Sequence, residues 1–294
     1  MHRLAPAGRG TYDPAPVNLS AMPYVSLILM LELAVGTLVV VTVFDARRMV
    51  TMGYVQMGSL IAGPLAILAV WLSLVVLQPV DEVGGYALAG SWLAPLRIAL
   101  DVLLVVSVAH GLSAFGNLRR ASLVFGALGS LVGLAALVLI AGYVSPPAWS
   151  FVGMLLSVIA GAFALGGSMM AMSWGHWYLT NSGLPKEPLE QMSLLVAGAL
   201  AAQVVLLVIG MIEPVRIVPL GDTTFGVALV ANPAFWLRVA IGLVAPLSLA
   251  LLAYKAASIR GMMSATGLLY IAVGCVLAGE ILARGLLFAT GVAL

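Results

Sequence analysis

The sequence predicts an all-helical integral membrane protein whose eight transmembrane helices form two tandem, parallel four-helix units. Three observations carry that prediction. The 294-residue chain is 63% hydrophobic and 8% charged, whereas a soluble domain carries about 25% charged residues. With a mean hydropathy of +1.15, it cannot cover itself with a water-compatible surface. Eight apolar runs reach the roughly 20 residues that a helix needs to cross the hydrocarbon core. Finally, phrases recur in order. Gln56-Met57-Gly58-Ser59-Leu60-Ile61-Ala62-Gly63 returns as Gln191-Met192-Ser193-Leu194-Leu195-Val196-Ala197-Gly198, and Leu96-Arg97-Ile98-Ala99 returns as Leu237-Arg238-Val239-Ala240.

Residues 1–23 are rich in Pro and Gly and carry Arg3 and Arg9 without an apolar core. They read as a flexible external tail and not as a cleavable signal peptide. The first unit occupies 24–146, with runs at 24–44, 54–78, 92–113 and 120–143. The second occupies 147–294, with runs at 148–178, 189–212, 234–254 and 263–290. Pro64 and Pro246 fall inside runs, where a membrane helix tolerates them as kinks. The longer connections, 79–91 and 213–233, each follow the second helix of a unit. Gly129-x-x-x-Gly133 and Gly279-x-x-x-Ala283 have the small-residue spacing of close helix packing. Because each unit holds an even number of helices, the two share one orientation.

Lysine and arginine asymmetry sets that orientation. Alternate connections carry Arg47, Arg48, Arg119, Arg120, Lys186, Lys255 and Arg260, whereas the opposite side carries Arg3, Arg9 and Arg216. The first set is therefore expected in the cytoplasm and both termini outside. The net charge of +2 resides in short loops and implies no nucleic-acid partner. The expected partner is the lipid bilayer.

Six ionisable residues interrupt the runs: Glu32, Arg97, Asp101, Arg238, Glu280 and Arg284. Under this orientation all six lie in the outer half of the membrane. A lone charge near the centre costs roughly 2.5–3.5 kcal/mol on the lenient insertion scale, so a shared polar zone is expected. The pairs Arg97/Asp101 and Glu280/Arg284 are spaced to meet on one helix face. Such pairs can simply neutralise each other and fasten helices, with arginines reaching outward. They can also line a cavity for a quinone headgroup, a proton path or a polar substrate. Glu32 has no basic partner on its own helix and suits a proton carrier.

His110 and His176 lie near the cytoplasmic ends of their runs and could in principle clamp a b-type haem or a metal. The aromatic neighbours Trp174, Trp177 and Tyr178 explain His176 as part of an interfacial belt, and no haem is expected. Cys275 is the single cysteine and excludes an intrachain disulfide. No phosphate-cradling loop, Cys/His cluster or zinc-protease motif is present, so neither a metal nor a covalently bound cofactor is expected. Met169, Met170 and Met172 read as core filling.

The phrase Gly279-Glu280-Ile281-Leu282-Ala283-Arg284-Gly285-Leu286-Leu287-Phe288 is similar to the one that ends the membrane-anchor subunits of dimethyl-sulfoxide reductases, with Ala283 in place of a glycine. With eight spans in two bundles, the chain resembles the polysulfide and dimethyl-sulfoxide reductase anchors. That resemblance implies a subunit that meets an iron–sulfur protein outside and oxidises quinol in the membrane. The histidine-leucine-glycine phrase common in that family is missing. Gly175-His176-Trp177-Tyr178-Leu179 and Ser264-Ala265-Thr266-Gly267-Leu268 also resemble bacterial membrane proteins of unassigned function.

Together these features lead to the expectation of a quinone-interacting subunit of a redox complex in a bacterial inner membrane. The alternatives are a proton-coupled transporter, a haem-b electron carrier or a non-catalytic assembly subunit. Cysteines placed at Ser182 and Thr223 are expected to react with an impermeant maleimide from opposite sides. Equal labelling of both from outside would overturn the orientation.

Overall fold

A computed structural model describes residues 19–293, apart from 76, 78 and 218–228. The tail therefore lies outside the described residues up to 18, as does most of the 213–233 loop. Eight helices are long and apolar enough to cross a membrane, and the protein is a multi-pass membrane protein. They are α1 (Met22–Ala46), α2 (Met52–Val75), α3 (Leu93–Phe115), α4 (Arg119–Val144), α5 (Phe151–Thr180), α6 (Glu187–Ile212), α7 (Pro233–Ser258) and α8 (Met262–Thr290).

α1 through α4 pack in a ring in which each helix touches the next and α4 returns to α1. α5 through α8 do the same, with α8 returning to α5. The rings meet chiefly along α1 and α5, the two most buried spans. At that seam a Cβ on Gly36 would stand 1.9 Å from the Ala162 carbonyl oxygen, and one on Gly166 would stand 2.1 Å from the Gly36 carbonyl carbon. Only glycine lets the backbones come this close. The anticipated small-residue motifs serve the same end. Gly129 and Gly133 receive Leu38 and Val35 of α1, and Gly279 lies against Gly242 of α7.

Three of the short turns on the arginine-rich side share one ending. Arg48, Asn117 and Arg260 adopt positive φ of 57°, 56° and 61°. The next amide in each case reaches back five residues: Met49 to Phe44, Leu118 to Ser113, and Gly261 to Ala256. This left-handed cap satisfies carbonyls that a helix end otherwise leaves open. α3 and α7, whose opening phrases match, thus also close alike.

Two features were not legible as helices. The 79–91 loop folds into a hairpin, β1 (Glu82–Val83) against β2 (Tyr86–Ala87). Gly84 and Gly85 have φ of 53° and 84°, the positive values that a two-residue hairpin turn needs. The hairpin lowers Tyr86 onto Phe288, with ring centroids 4.7 Å apart, and Tyr86 donates its hydroxyl to the Val144 carbonyl at 2.5 Å. Burial pushes that phenol up from its ordinary pKa, so it remains a donor.

The other feature is in α7, where Ala240–Val244 forms a π turn just before Pro246. Proline has no amide hydrogen for the carbonyl four residues earlier, which is that of Gly242. The wider turn takes up the strain, and Arg238 donates its Nη1 to the Gly242 carbonyl at 3.3 Å. The helix therefore carries a one-turn π bulge beside Pro246, the form in which such insertions usually occur.

Replacing Gly36 with leucine is expected to destabilise the protein by more than the about 1–3 kcal/mol of ordinary overpacking, because the clash is with backbone. Thermal melts in detergent should show it, and Gly274→Ala, where a Cβ meets nothing within 4 Å, should leave the melt unchanged.

Candidate functional site

Four of the six interrupting charges come together, and two do not. The centre is Arg284 of α8. Its Nη2 lies 2.6 Å from Glu32 Oε1 of α1 and 3.3 Å from Glu280 Oε2 one turn back on its own helix. Its Nη1 donates to Ser157 Oγ of α5 at 2.9 Å, and Nη2 also donates to the Ser157 carbonyl at 3.1 Å. Glu280 then passes the network to α7, with its Oε1 3.3 Å from Arg238 Nη2. Gln203 of α6 closes the circuit: its amide donates to Glu280 Oε1 at 2.6 Å and its carbonyl accepts from Arg238 Nη2 at 3.1 Å.

Five helices thus contribute to one network: α1, α5, α6, α7 and α8. Glu32, Gln203, Arg238, Glu280 and Arg284 are all fully buried. Two carboxylates face two guanidiniums, so the group is neutral overall, as a low-dielectric interior demands. Helix geometry explains how so many polar side chains meet. Gly279 and Gly242 bring α7 and α8 into backbone contact, and Gly161 gives up a side chain where a Cβ would stand 2.8 Å from Arg284 Nη2 and 2.9 Å from Glu32 Oε1.

Glu32 has no basic partner on its own helix; its partner, Arg284, is on α8, far away in sequence, and reading α1 alone could not supply it. One oxygen, Oε2, still has no hydrogen-bond partner among the described residues, and neither do the Nε atoms of Arg238 and Arg284. At the Met22 end of α1 and the Thr290 end of α8, Tyr24, Tyr86, Tyr143 and Phe288 form an aromatic cap in which Tyr24 stacks on Tyr143 and Phe288 is tilted against Tyr24 and Tyr86.

Arg97 and Asp101 are outside this network, and their expected pairing on one face of α3 is not made. Arg97 donates Nε and Nη2 to the Ser73 carbonyl at 3.0 and 2.8 Å, and Nη2 to the Leu77 carbonyl at 2.7 Å. It caps the end of α2, where a cation meets the negative end of the helix dipole. No ion pair joins it to Asp101 among the described residues, and Asp101 is exposed on the outer face of α3.

The two histidines have unrelated neighbours. His110 is buried, with Nδ1 2.9 Å from the Ser122 carbonyl of α4. His176 is exposed and meets the Tyr270 hydroxyl of α8 at 2.8 Å. They do not converge as two axial ligands would. Among the described residues no group of three or more His, Cys, Asp or Glu could hold a metal ion.

Sequence reasoning missed two participants of the network, Gln203 and Ser157, and one buried charge outside it, Asp45. Gln203 was visible as an amide in the middle of an apolar run, which is the signal that could have found it. Ser157 had no such mark. Asp45, at the end of α1, is buried against Arg119 of α4 at 2.5 Å. It forms a second, separate ion pair on the arginine-rich side.

A groove of about 690 Å³ lies between α5 and α6. Ala160, Phe163, Ala199, Ala202 and Leu206 are among its lining residues. α5 and α6 thus carry the groove residues on one face and, on another, Ser157 and Gln203 of the network.

No known family model matches the chain, and no curated protein matches it either.

Glu280→Gln is expected to destabilise the protein by about 3–5 kcal/mol, since it leaves two buried arginines facing one carboxylate. Arg238→Gln combined with Glu280→Gln should recover part of that loss. Additive losses in a double-mutant cycle of melts would show that the two side chains do not act as a pair.

Proposed function

We propose that the chain is the membrane subunit of a redox complex and that it handles a quinol at the Glu32–Arg284–Glu280–Arg238 network. The observations that support this reading are the fully buried network of two carboxylates and two arginines and the apolar groove between α5 and α6, the helices that give Ser157 and Gln203 to that network. An apolar groove on helices that also carry buried polar groups suits a molecule with a hydrocarbon tail and a polar, proton-releasing head. Binding sites of this size are commonly apolar with a few convergent polar groups. Glu32 is assigned the proton acceptor, because its Oε2 is the carboxylate oxygen in the network left without a donor. Arg284 would hold the head's oxygen and steady Glu32 once it is charged.

In this reading the arginine-rich loops lie in the cytoplasm and the network in the outer half of a bacterial inner membrane. Protons released from quinol would leave toward the aromatic cap. An iron–sulfur partner on that face would take the electrons, consistent with the reductase-anchor resemblance of Glu280 and Arg284. The two rings are proposed to descend from one duplicated four-helix unit, supported by their matched phrases and matched turn endings.

Placing a bulky ring in the groove tests the reading. A short-tailed quinone should raise the melting temperature of the purified protein, and Ala202→Phe should abolish that rise without lowering the melt of the unliganded protein. Glu32→Gln should retain quinone binding but lose quinol oxidation in native membranes. An unchanged quinone-dependent shift in Ala202→Phe would exclude the groove as the entrance.

A further inference from the structure

The unabsorbed feature of this molecule is Asp101. The span that contains it runs from Gly90 to Phe115 and is 26 residues long. At about 1.5 Å per residue, Asp101 lies roughly 17 Å from the Gly90 end, close to the middle of the span. It is exposed there, on a face otherwise made of Ile98, Val105 and Leu112, whose relative exposures are 65%, 67% and 71%. An ionisable side chain at that depth almost always faces a bundle interior or a polar cavity. Asp101 faces neither, and Arg97, the nearest basic residue in sequence, is committed to the carbonyls of Ser73 and Leu77.

The arrangement of the face supplies the second observation. Ile98, Val105 and Leu112 recur every seven residues, and Asp101, Val108 and Phe115 fall between them at the same period. All six are exposed. This is the spacing of a seam that packs against another helix at a shallow left-handed crossing, the commonest geometry in membrane bundles. One polar residue in such a seam fixes the register and selects the partner.

We infer that the outer face of α3 is a docking surface for a transmembrane helix of a different membrane protein, one that carries a lysine or arginine at mid-depth. Charge complementarity selects that occupant over a second copy of this chain. In a two-fold dimer with parallel α3 helices, Asp101 would meet Asp101 at equal depth. Nor do the described residues of this chain offer an exposed cation at that depth. Its exposed described Arg and Lys residues, Arg47, Arg48, Arg120, Arg216, Lys255 and Arg260, lie at helix ends or in loops. The surface is on α3, whereas the charge network is built from α1 and α5–α8, so this inference stands without the quinol reading.

The test uses the full-length protein in vesicles of zwitterionic lipid and two synthetic leucine-rich helices, one with a central lysine and one with leucine there. Energy transfer between labelled protein and peptide reads association. The lysine helix should bind roughly three- to tenfold more tightly than the leucine helix, and Asp101→Asn and Asp101→Leu should abolish the difference. Both variants should melt no lower than the wild type, because the folded chain loses no partner. Equal binding of the two helices would overturn the inference, as would a preference that persists in Asp101→Leu. A melt far below wild type would assign Asp101 an internal role. Efficient cross-linking of Val105→Cys between copies would give the face to a second molecule of this chain. Either result would also overturn it.

Discussion

Two carboxylates and two guanidiniums removed from water are tolerable only when each is within hydrogen-bond distance of an opposite charge, and that requirement governs how five helices of this protein are placed. The desolvation of such groups exceeds what any single pair returns. Here Arg284 answers Glu32 and Glu280, Glu280 answers both arginines, and Gln203 bridges the remaining gap. Moving any one of α1, α5, α6, α7 or α8 by an ångström or two would strand a charge. Apolar packing within a bilayer has no comparable selectivity, since lipid tails replace side-chain contacts at little cost. The network is therefore the feature that distinguishes one arrangement of these helices from others of similar packing.

The glycines follow from the same constraint. Arg238 reaches Glu280 because Gly242 and Gly279 allow α7 and α8 to touch, and Arg284 reaches Glu32 past a bare Gly161. The π turn before Pro246 belongs to this set. It frees the Gly242 carbonyl, and Arg238 uses that carbonyl to satisfy a donor that Glu280 and Gln203 leave over. Proline, π turn and arginine are one device, although the sequence shows only a proline in an apolar run and an arginine two turns earlier.

That contrast shows what the sequence could and could not reveal. The eight spans were legible because hydrophobic length is a local property, and their ends differ from the observed helices by a few residues. The hairpin at 82–87 was missed because its two-residue strands are too short for a period-two pattern, although Gly84-Gly85 marks the turn. For the site, Glu280 and Arg284 could be paired from their spacing. Glu32 with Arg284 could not, because 252 residues separate them and no pattern along one helix indicates a neighbour on another. Arg97 and Asp101 show the converse error: the favourable spacing was present, but the carbonyls at the end of α2 competed for the guanidinium and won.

Arg97 and Arg238, which sit in matched phrases, meet different fates in the two rings. Both arginines occupy the second position of a matched phrase near the start of the third helix of a ring. In the first ring the preceding helix ends in open carbonyls within reach, and Arg97 binds those of Ser73 and Leu77. In the second, the preceding helix offers Gln203 and the following one offers Glu280, so Arg238 turns inward. The inward arginine requires counter-charges, and these come from α8 and, through Arg284, from α1 of the other ring. Charge balance therefore ties the rings together at the interior of the second. The first ring keeps its own buried acid, Asp45, and its buried His110 nearer the arginine-rich end, where they meet Arg119 and Ser122. The four buried charges thus converge on the side of α5 that faces α1 and α8, where Ser157 meets Arg284.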